Sequence, residues 1–275
     1  MRVSNMNAIE LKSRKSTEDS YRFGFVGYID ILGFSKLMDT KESRVLVSKT
    51  YKQIREMLNV NETTFFPHLF GKSHCGDKVY TIVEIGNDNL FTFSDSIFFI
   101  LIPGQPGGEF LVKYALGACQ CMSRILSICW KNSLPARGAL SDGDIFYNSS
   151  QHVFLGQPIV KAVEWEKCTA FVWFSIEPTS YIANNIISYP EAFLGSNLLN
   201  IPLTQRAFFK SKDKNIFLKK YDCLSSKVFT YWPDLKLTNK DCLSKLITKN
   251  ILSLNGKPLR YWKKTKYLFN TLSFC

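Results

Sequence analysis

The sequence is poor in the residues that build histidine or cysteine metal centres. Its three histidines, His68, His74 and His152, are too few and too dispersed to form a histidine cage. None of the eight cysteines forms a Cys-X-X-Cys pair, so a zinc-ligand motif is missing as well. We interpret the cysteines as reduced and structural, which predicts a cytoplasmic protein.

Long apolar runs are also missing. The longest, SIFFILIPG, spans about nine residues and is interrupted by Pro103, whereas a membrane-spanning helix needs about 20. Residues 1–22 are mostly polar, charged or small, so they match neither a secretory signal nor a membrane anchor. We therefore expect no contact with a membrane and a flexible N-terminal arm over residues 1–22.

Charge is unevenly distributed along the chain. The net charge is +12, but residues 1–205 hold 19 basic and 19 acidic side chains, whereas residues 206–275 hold 16 basic and 4 acidic ones. A nucleic-acid-binding tail would have this composition. The lysines alternate with apolar residues, however, as in IFLKKYDCL and RYWKKTKYLF, which favours packed amphipathic elements with solvated charges.

Hydrophobic patterns predict an alternation of strands and helices. Residues 23–34 indicate a buried strand, residues 37–58 a helix, residues 79–102 a hairpin that turns at GNDN, and residues 110–130 a second helix. Residues 134–147 indicate a strand that turns at Asp142 and Gly143, residues 156–167 a short helix with Pro158 in its first turn, and residues 170–176 another strand.

This order predicts an α+β fold, with helices packed on one face of an antiparallel-rich sheet. We assign residues 23–178 to the sheet domain and residues 179–275 to a basic C-terminal extension packed on the same domain. The extension has prolines near aromatic residues, which favours loops and edge strands. Internal repeats and low-complexity linkers are not found in the sequence.

Two aspartates stand inside apolar runs. Asp30 interrupts YIDILGF and Asp95 interrupts LFTFSDSIFFILI, and an unpaired carboxylate there would be costly. Either one alone could be a cap or a turn residue. Together, with Gly33 after the first and with Ser94 and Ser96 around the second, they favour a site for Mg²⁺ or Mn²⁺.

The segment after Asp30 completes the predicted site. We expect the carbonyl of Ile31 to be a further metal ligand, and the amides of Leu32, Gly33 and Phe34 to cradle phosphates at the start of a helix. The alternative for this segment is an ordinary turn between a strand and a helix.

The phrases YIDILGF, FSDSIFF, LPARGALSDG and FLGQPIVKAVEWE, in this order and spacing, resemble the catalytic domain of class III nucleotide cyclases. The resemblance covers roughly residues 24–176 and is strongest to the Pycsar cyclases, uridylate and cytidylate cyclases of bacterial anti-phage defence. It implies the ferredoxin-like palm of these cyclases, over residues 23–178. It also implies two divalent metal ions, Mn²⁺ or Mg²⁺, and UTP or CTP as substrate, with UTP favoured.

The resemblance assigns roles to individual residues. It implies that Asp30 and Asp95 bind metal through their carboxylates and Ile31 through its carbonyl, and that residues 31–34 form the phosphate loop. Arg137 matches the strand after the second helix, together with Gly138 and Gly143. It could contact phosphate, or it could be a structural arginine paired with a glutamate, Glu164 or Glu166.

Two positions depart from the better-known adenylate cyclases. Those enzymes carry an asparagine and, four residues later, an arginine that stabilises the transition state, where this chain has Val160 and Glu164. The resemblance further implies a homodimer with its sites between the subunits. Two other hypotheses stay open, a degenerate module that binds a nucleotide without turnover and a nucleic-acid-binding protein that uses the basic C-terminal quarter.

Overall fold

The fold is that of a computed structural model, which describes residues 20–59, 90–103, 108–148, 153–169, 173–188, 198–202, 227–231, 245, 248 and 257–271. The strands are β1 Ser20–Ile31, β2 Leu90–Phe93, β3 Ser96–Leu101, β4 Ala136–Asn148, β5 Val153–Leu155, β6 Phe174–Ile176, β7 Leu198–Pro202 and β8 Lys227–Tyr231. The helices are α1 Phe34–Leu37, α2 Lys41–Asn59, α3 Gly108–Lys131, α4 Gln157–Cys168, α5 Tyr181–Ser188 and α6 Lys257–Thr271. Within these segments, every helix is too short or too polar to cross a membrane.

The main sheet is mixed and has the strand order β2-β3-β1-β4-β5. β1 pairs antiparallel with β3 on one side and with β4 on the other. β6 runs parallel to β4 beside residues 138–140. The α+β class and the predominance of antiparallel pairs are therefore confirmed, with one parallel pairing added. β7 and β8 form a separate two-stranded sheet.

Both faces of the main sheet are covered, so the prediction that helices pack on one face is wrong. Phe25, Ile29 and Ile31 of β1 belong to the large core that includes α2 and α3. Val26 and Tyr28, which alternate with them, belong to a second cluster that α4 helps to form. The physical reason is that β1 is apolar at odd and even positions alike, so each face needs a cover.

The second run of the predicted hairpin contains a turn of its own, whereas the predicted turn GNDN lies outside the described residues. The run LFTFSDSIFFILI is not one strand, because it reverses at Ser94 and Asp95 and forms both β2 and β3. Ser94 has φ 54°, a conformation that tight turns require and that few non-glycine residues adopt. The run VYTIVEI, which we expected to be the first strand, lies outside the described residues.

The remaining elements follow the sequence with small differences. α2, α3 and α4 confirm the three predicted helices, and Pro158 lies in the first turn of α4. The predicted turn at Asp142 and Gly143 is wrong, since β4 continues through both to Asn148 and stays paired with β1. β1 begins at Ser20, inside the segment that we assigned to the N-terminal arm.

The C-terminal part contributes to the large core. Trp262 of α6 is fully buried, and its ring centroid lies 4.7 Å from that of Trp130 in α3. Trp130 also contacts Trp173, at 4.7 Å between the centroids. The exposed positions of α6 carry charge, at Arg260, Lys263 and Lys266. This helix therefore has the amphipathic form that we favoured for the basic segment.

Candidate metal and nucleotide site

Asp30 lies near the end of β1, between two neighbouring strands. Its register partners are Ser96 on β3 and Arg137 on β4. Side chains that lie directly opposite each other on paired strands point to the same face, with Cβ atoms about 4.5–5.5 Å apart. The side chain of Asp30 is 20% exposed. This carboxylate therefore lies at the surface of the sheet, where a small ligand can reach it.

Asp95 lies in the turn between β2 and β3 and is brought to Asp30 by backbone pairing. The amide of Ile31 donates a hydrogen bond of 2.9 Å to the carbonyl of Asp95. The hydroxyl of Tyr51, on α2, donates one of 2.6 Å to the carbonyl of Ser94. The turn is thus fixed to the end of β1 and to α2. A hairpin turn, rather than a strand interior, is what accommodates this half-buried aspartate.

Ser96 is the register partner of Asp30 on β3 and follows Asp95 in the chain. Its hydroxyl lies 3.5 Å from Oδ1 of Asp95 and shares a hydrogen bond of 3.1 Å with the hydroxyl of Tyr28. Burial raises the pKa of Tyr28; the hydrogen bond with Ser96 lowers it, and the charges of Asp30, Glu166 and Asp95 raise it again. Both aspartates thus act on the same phenol. The backbone hydrogen bond between Ile31 and Asp95 brings the main chains of the two aspartates together at this end of the sheet.

The loop after β1 has the conformation of a tight turn into a helix. Gly33 has φ 76°, a left-handed conformation that glycine adopts at little cost, and it precedes the first residue of α1. The amide of Ile31 is bonded to Asp95, and the amide of Leu32 donates a hydrogen bond of 2.7 Å to the carbonyl of Pro135. Of the predicted phosphate loop, the amides of Gly33 and Phe34 are therefore the ones available to an anion.

Arg137 is buried and faces Asp30 from β4. Its Nη2 lies 3.6 Å from Oδ2 of Asp30, and its Nε pairs with Oε1 of Glu166. Its Nη1 donates hydrogen bonds of 3.1 Å to the carbonyl of Thr169 and of 3.4 Å to the hydroxyl of Tyr261. The arginine thus has the glutamate partner that the structural alternative predicts, and that partner is Glu166.

The oxygen donors at this corner of the sheet suit a hard divalent cation. Asp30 precedes Ile31, and the amide of Ile31 donates a hydrogen bond to the carbonyl of Asp95, so both aspartates and the carbonyl of Ile31 belong to this corner. In the described part of the chain, no cluster of three or more His, Cys, Asp and Glu could hold a metal by side chains alone. Mg²⁺ commonly uses one or two carboxylates, with water and substrate phosphates in the remaining positions. The donor set fits Mg²⁺ or Mn²⁺ on that basis.

The two positions that depart from the adenylate cyclases are at the surface of α4. Val160 is 48% exposed, and Glu164 is exposed as well. The glutamate that pairs with Arg137 is Glu166. The sequence favours core or interface positions over base stacking for Trp165, Trp173 and Trp232, and Trp165 and Trp173 are core residues, since each is 1% exposed. Trp232 lies outside the described residues.

Sequence reasoning missed several neighbours of the two aspartates. Tyr28 and Tyr261 were not singled out, and neither was Phe93, which is 81% exposed and is the register partner of Ser96 on β2. A two-residue period would have found Tyr28, because it shares a strand face with Asp30. No local signal marks Tyr261, since it reaches the site from a helix more than a hundred residues downstream of Arg137.

Comparisons with known proteins leave the family open. No family model matches the chain, and none of the curated proteins is significantly similar to it.

Proposed function

We propose that this chain is a metal-dependent pyrimidine nucleotide cyclase. It converts UTP, or alternatively CTP, to the 3′,5′-cyclic monophosphate and pyrophosphate, and the product is a second messenger in anti-phage defence. The observation that carries the proposal is the convergence of Asp30 and Asp95, since the amide of Ile31 binds the carbonyl of Asp95 and Asp30 lies opposite Ser96.

The topology around this convergence supports the proposal. The described elements from β1 to β4 follow one another as a β-α-β-β-α-β unit, in which α1 and α2 together make the first helical part and α3 the second. Their strands have the sheet order β2-β3-β1-β4. This is the arrangement of a ferredoxin-like palm. It puts the end of the first strand beside the turn of the central hairpin, which is where class III cyclases, in the resemblance given above, carry their metal-binding aspartates.

Each residue at the site has a proposed task. Asp30 and Asp95 hold two divalent cations, with the carbonyl of Ile31 as a further ligand, and the amides of Gly33 and Phe34 hold phosphate oxygens. When bound, the cations would favour loss of the ribose 3′-hydroxyl proton and neutralise the triphosphate. Asp30 takes the proton, directly or through water, the 3′-oxygen forms a bond to the α-phosphorus, and the bond between that phosphorus and the leaving pyrophosphate breaks.

A homodimer is part of the same proposal. Phe93 is 81% exposed beside the candidate site, and Val160 on α4 is 48% exposed. Contact of these side chains with another chain would remove apolar area from water. A site between two subunits would also let the partner contribute groups in place of the asparagine and arginine that Val160 and Glu164 do not provide. The cytoplasm is the proposed location.

The decisive experiment is product formation. The purified protein is incubated with each nucleoside triphosphate and Mn²⁺ or Mg²⁺, and cyclic monophosphate and pyrophosphate are measured by mass spectrometry. Asp95→Ala and Asp30→Asn should abolish both products, because each removes a charged metal ligand. The fold should survive Asp95→Ala, since the turn is fixed through the backbone carbonyl of Asp95.

Asp144→Ala is the matched control, because it removes an exposed aspartate from β4. Full turnover in this control together with none in Asp95→Ala supports the assignment. Retained turnover in a folded Asp95→Ala protein would refute it.

The degenerate binding module is the second candidate, and it is favoured by Val160 and Glu164. It predicts metal-dependent binding of a nucleoside triphosphate without any cyclic product. The nucleic-acid-binding hypothesis predicts salt-dependent binding of DNA or RNA that is lost when residues 206–275 are removed. Since α6 buries Tyr261 and Trp262 in the core, that truncation must be compared with charge reversal at the exposed Arg260, Lys263 and Lys266.

A further inference from the structure

Arg137 forms an ion pair with Asp30, and it has further partners besides. Its residue is 8% exposed, and Glu166 beside it is 2% exposed. A buried guanidinium next to a metal-binding carboxylate competes with the metal, because both cations need the same oxygens. How Arg137 is held therefore affects how well Asp30 can serve as a ligand.

The guanidinium is drawn away from Asp30 by groups on α4 and α6. Nε pairs with Glu166, and Nη1 donates to the carbonyl of Thr169 at 3.1 Å and to the hydroxyl of Tyr261 at 3.4 Å. The ring of Tyr261 also stacks near the cation, with Cζ of Arg137 5.4 Å from the ring centroid.

Only Nη2 is directed to Asp30, at 3.6 Å, which is longer than a charge-assisted hydrogen bond of about 2.7–2.9 Å. The ion pair with Asp30 is thus the loosest of the contacts that Arg137 makes here. The restraint on the guanidinium comes from Glu166, Thr169 and Tyr261.

We propose that Glu166 and Tyr261 are positioning residues that restrain Arg137 and thereby set the metal affinity of the Asp30 and Asp95 pair. The inference rests on the proposed metal site. Glu166 neutralises the arginine, and Tyr261 keeps its Nη1 turned away from Asp30. The C-terminal helix, which lies outside the cyclase resemblance, is thereby a part of the site.

Binding of Mn²⁺ to the full-length protein tests this without any need for turnover. The signal of free Mn²⁺ in electron paramagnetic resonance gives the dissociation constant, with and without UTP or CTP. Glu166→Gln keeps the shape of the side chain but leaves the arginine charge uncompensated, and we expect binding about tenfold to a hundredfold weaker, as for other groups that orient metal ligands. Tyr261→Phe removes one long hydrogen bond and keeps the ring, so about twofold to fivefold weaker binding is expected.

The double variant Arg137→Gln with Glu166→Gln distinguishes positioning from a structural role. It removes the cation that Glu166 restrains, so it should bind Mn²⁺ at least as tightly as the wild type. Tyr114→Phe, at another buried tyrosine of the core, controls for the loss of a hydroxyl. If Glu166→Gln does not fold, as judged by circular dichroism, Tyr261→Phe and the double variant decide.

The outcomes separate this inference from the proposed function. Wild-type protein that binds no Mn²⁺, with or without nucleotide, removes the metal site and this inference together. Wild-type protein that binds Mn²⁺, with unchanged affinity in Glu166→Gln and Tyr261→Phe, overturns the inference alone. So does a double variant that is as weak as Glu166→Gln, because the arginine would then not be the intermediary.

Discussion

Asp142 is a buried carboxylate on β4, and it is only 6% exposed. Its Oδ1 accepts a hydrogen bond of 2.6 Å from the amide of Tyr181, and its Oδ2 one of 2.9 Å from the amide of Ile182, at the start of α5. Burial raises its pKa; these amides oppose the rise, the charge of Glu177 adds to it, and Lys161 opposes it. The result is a pKa of about 6, against an ordinary value of 3.8.

The raised pKa has a definite sign for stability. The folded protein holds the proton of Asp142 more tightly than the unfolded chain, so the contribution to stability is fully present below pH 3.8 and is lost as the pH rises to about 6. One pKa unit corresponds to about 1.36 kcal/mol, so roughly two units give a loss of about 3 kcal/mol. Above that window the contribution no longer changes with pH.

Asp142→Asn resembles the protonated acid at every pH and should remove this dependence. The free energy of unfolding is measured by urea titration at a series of pH values from below 4 to above 7. As the pH rises from below 4 to above about 6, the free energy of unfolding of the variant should increase relative to that of the wild type by about 3 kcal/mol. Asp144→Asn removes the same charge at an exposed position of the same strand and controls for net charge. Parallel curves for wild type and Asp142→Asn, or a shift of the opposite sign, would refute the reasoning, since the two amides would then match or outweigh burial.

Two further substitutions test the supports of the candidate site. Tyr51→Phe removes the hydrogen bond to the carbonyl of Ser94. It should lower the free energy of unfolding by about 0.5–1.5 kcal/mol and weaken Mn²⁺ binding. Unchanged Mn²⁺ affinity would mean that the turn does not need this support. Trp262→Ala empties a fully buried position and should lower the free energy of unfolding, measured by urea titration, by about 3–5 kcal/mol. Trp262→Phe should lower it less. A loss below about 1 kcal/mol for Trp262→Ala would contradict the packing of α6 against Trp130.

The long periodic elements could be predicted from the sequence because their packing is regular. α2 and α3 each bury one stripe of apolar residues, and the pattern predicts both to within a few residues. The placement of Asp30 on a buried strand followed from the same kind of pattern. The apolar residues at alternating positions of β1 also indicate that both of its faces are covered, which the prediction of helices on one face did not take into account.

Turns and distant contacts were the parts that sequence patterns could not give. The Ser94 and Asp95 turn contains neither glycine nor proline, so LFTFSDSIFFILI has the composition of one strand. Asp142 and Gly143, by contrast, have the composition of a turn but lie in a continuous strand, where they pair with Phe25 and Gly24, and Gly143 has φ 143°, a conformation that favours glycine. Tertiary pairing overrides local preference in both cases. The contact between Arg137 and Tyr261 depends on the docking of α6, which no local pattern encodes.

The register of β1 against β3 determines whether a site exists at all. Side chains alternate along a strand, so a slip of one residue would send Asp30 into the large core and separate it from Ser96. Three contacts oppose such a slip: the hydrogen bond from Ile31 to Asp95, the hydroxyl pair of Tyr28 and Ser96, and the close approach of Gly27 to Phe99. A Cβ atom at Gly27 would overlap the ring of Phe99, so the ring fits only opposite a glycine. The aspartates are therefore held together by strand pairing, and substitutions that disturb this pairing should weaken metal binding without touching a ligand.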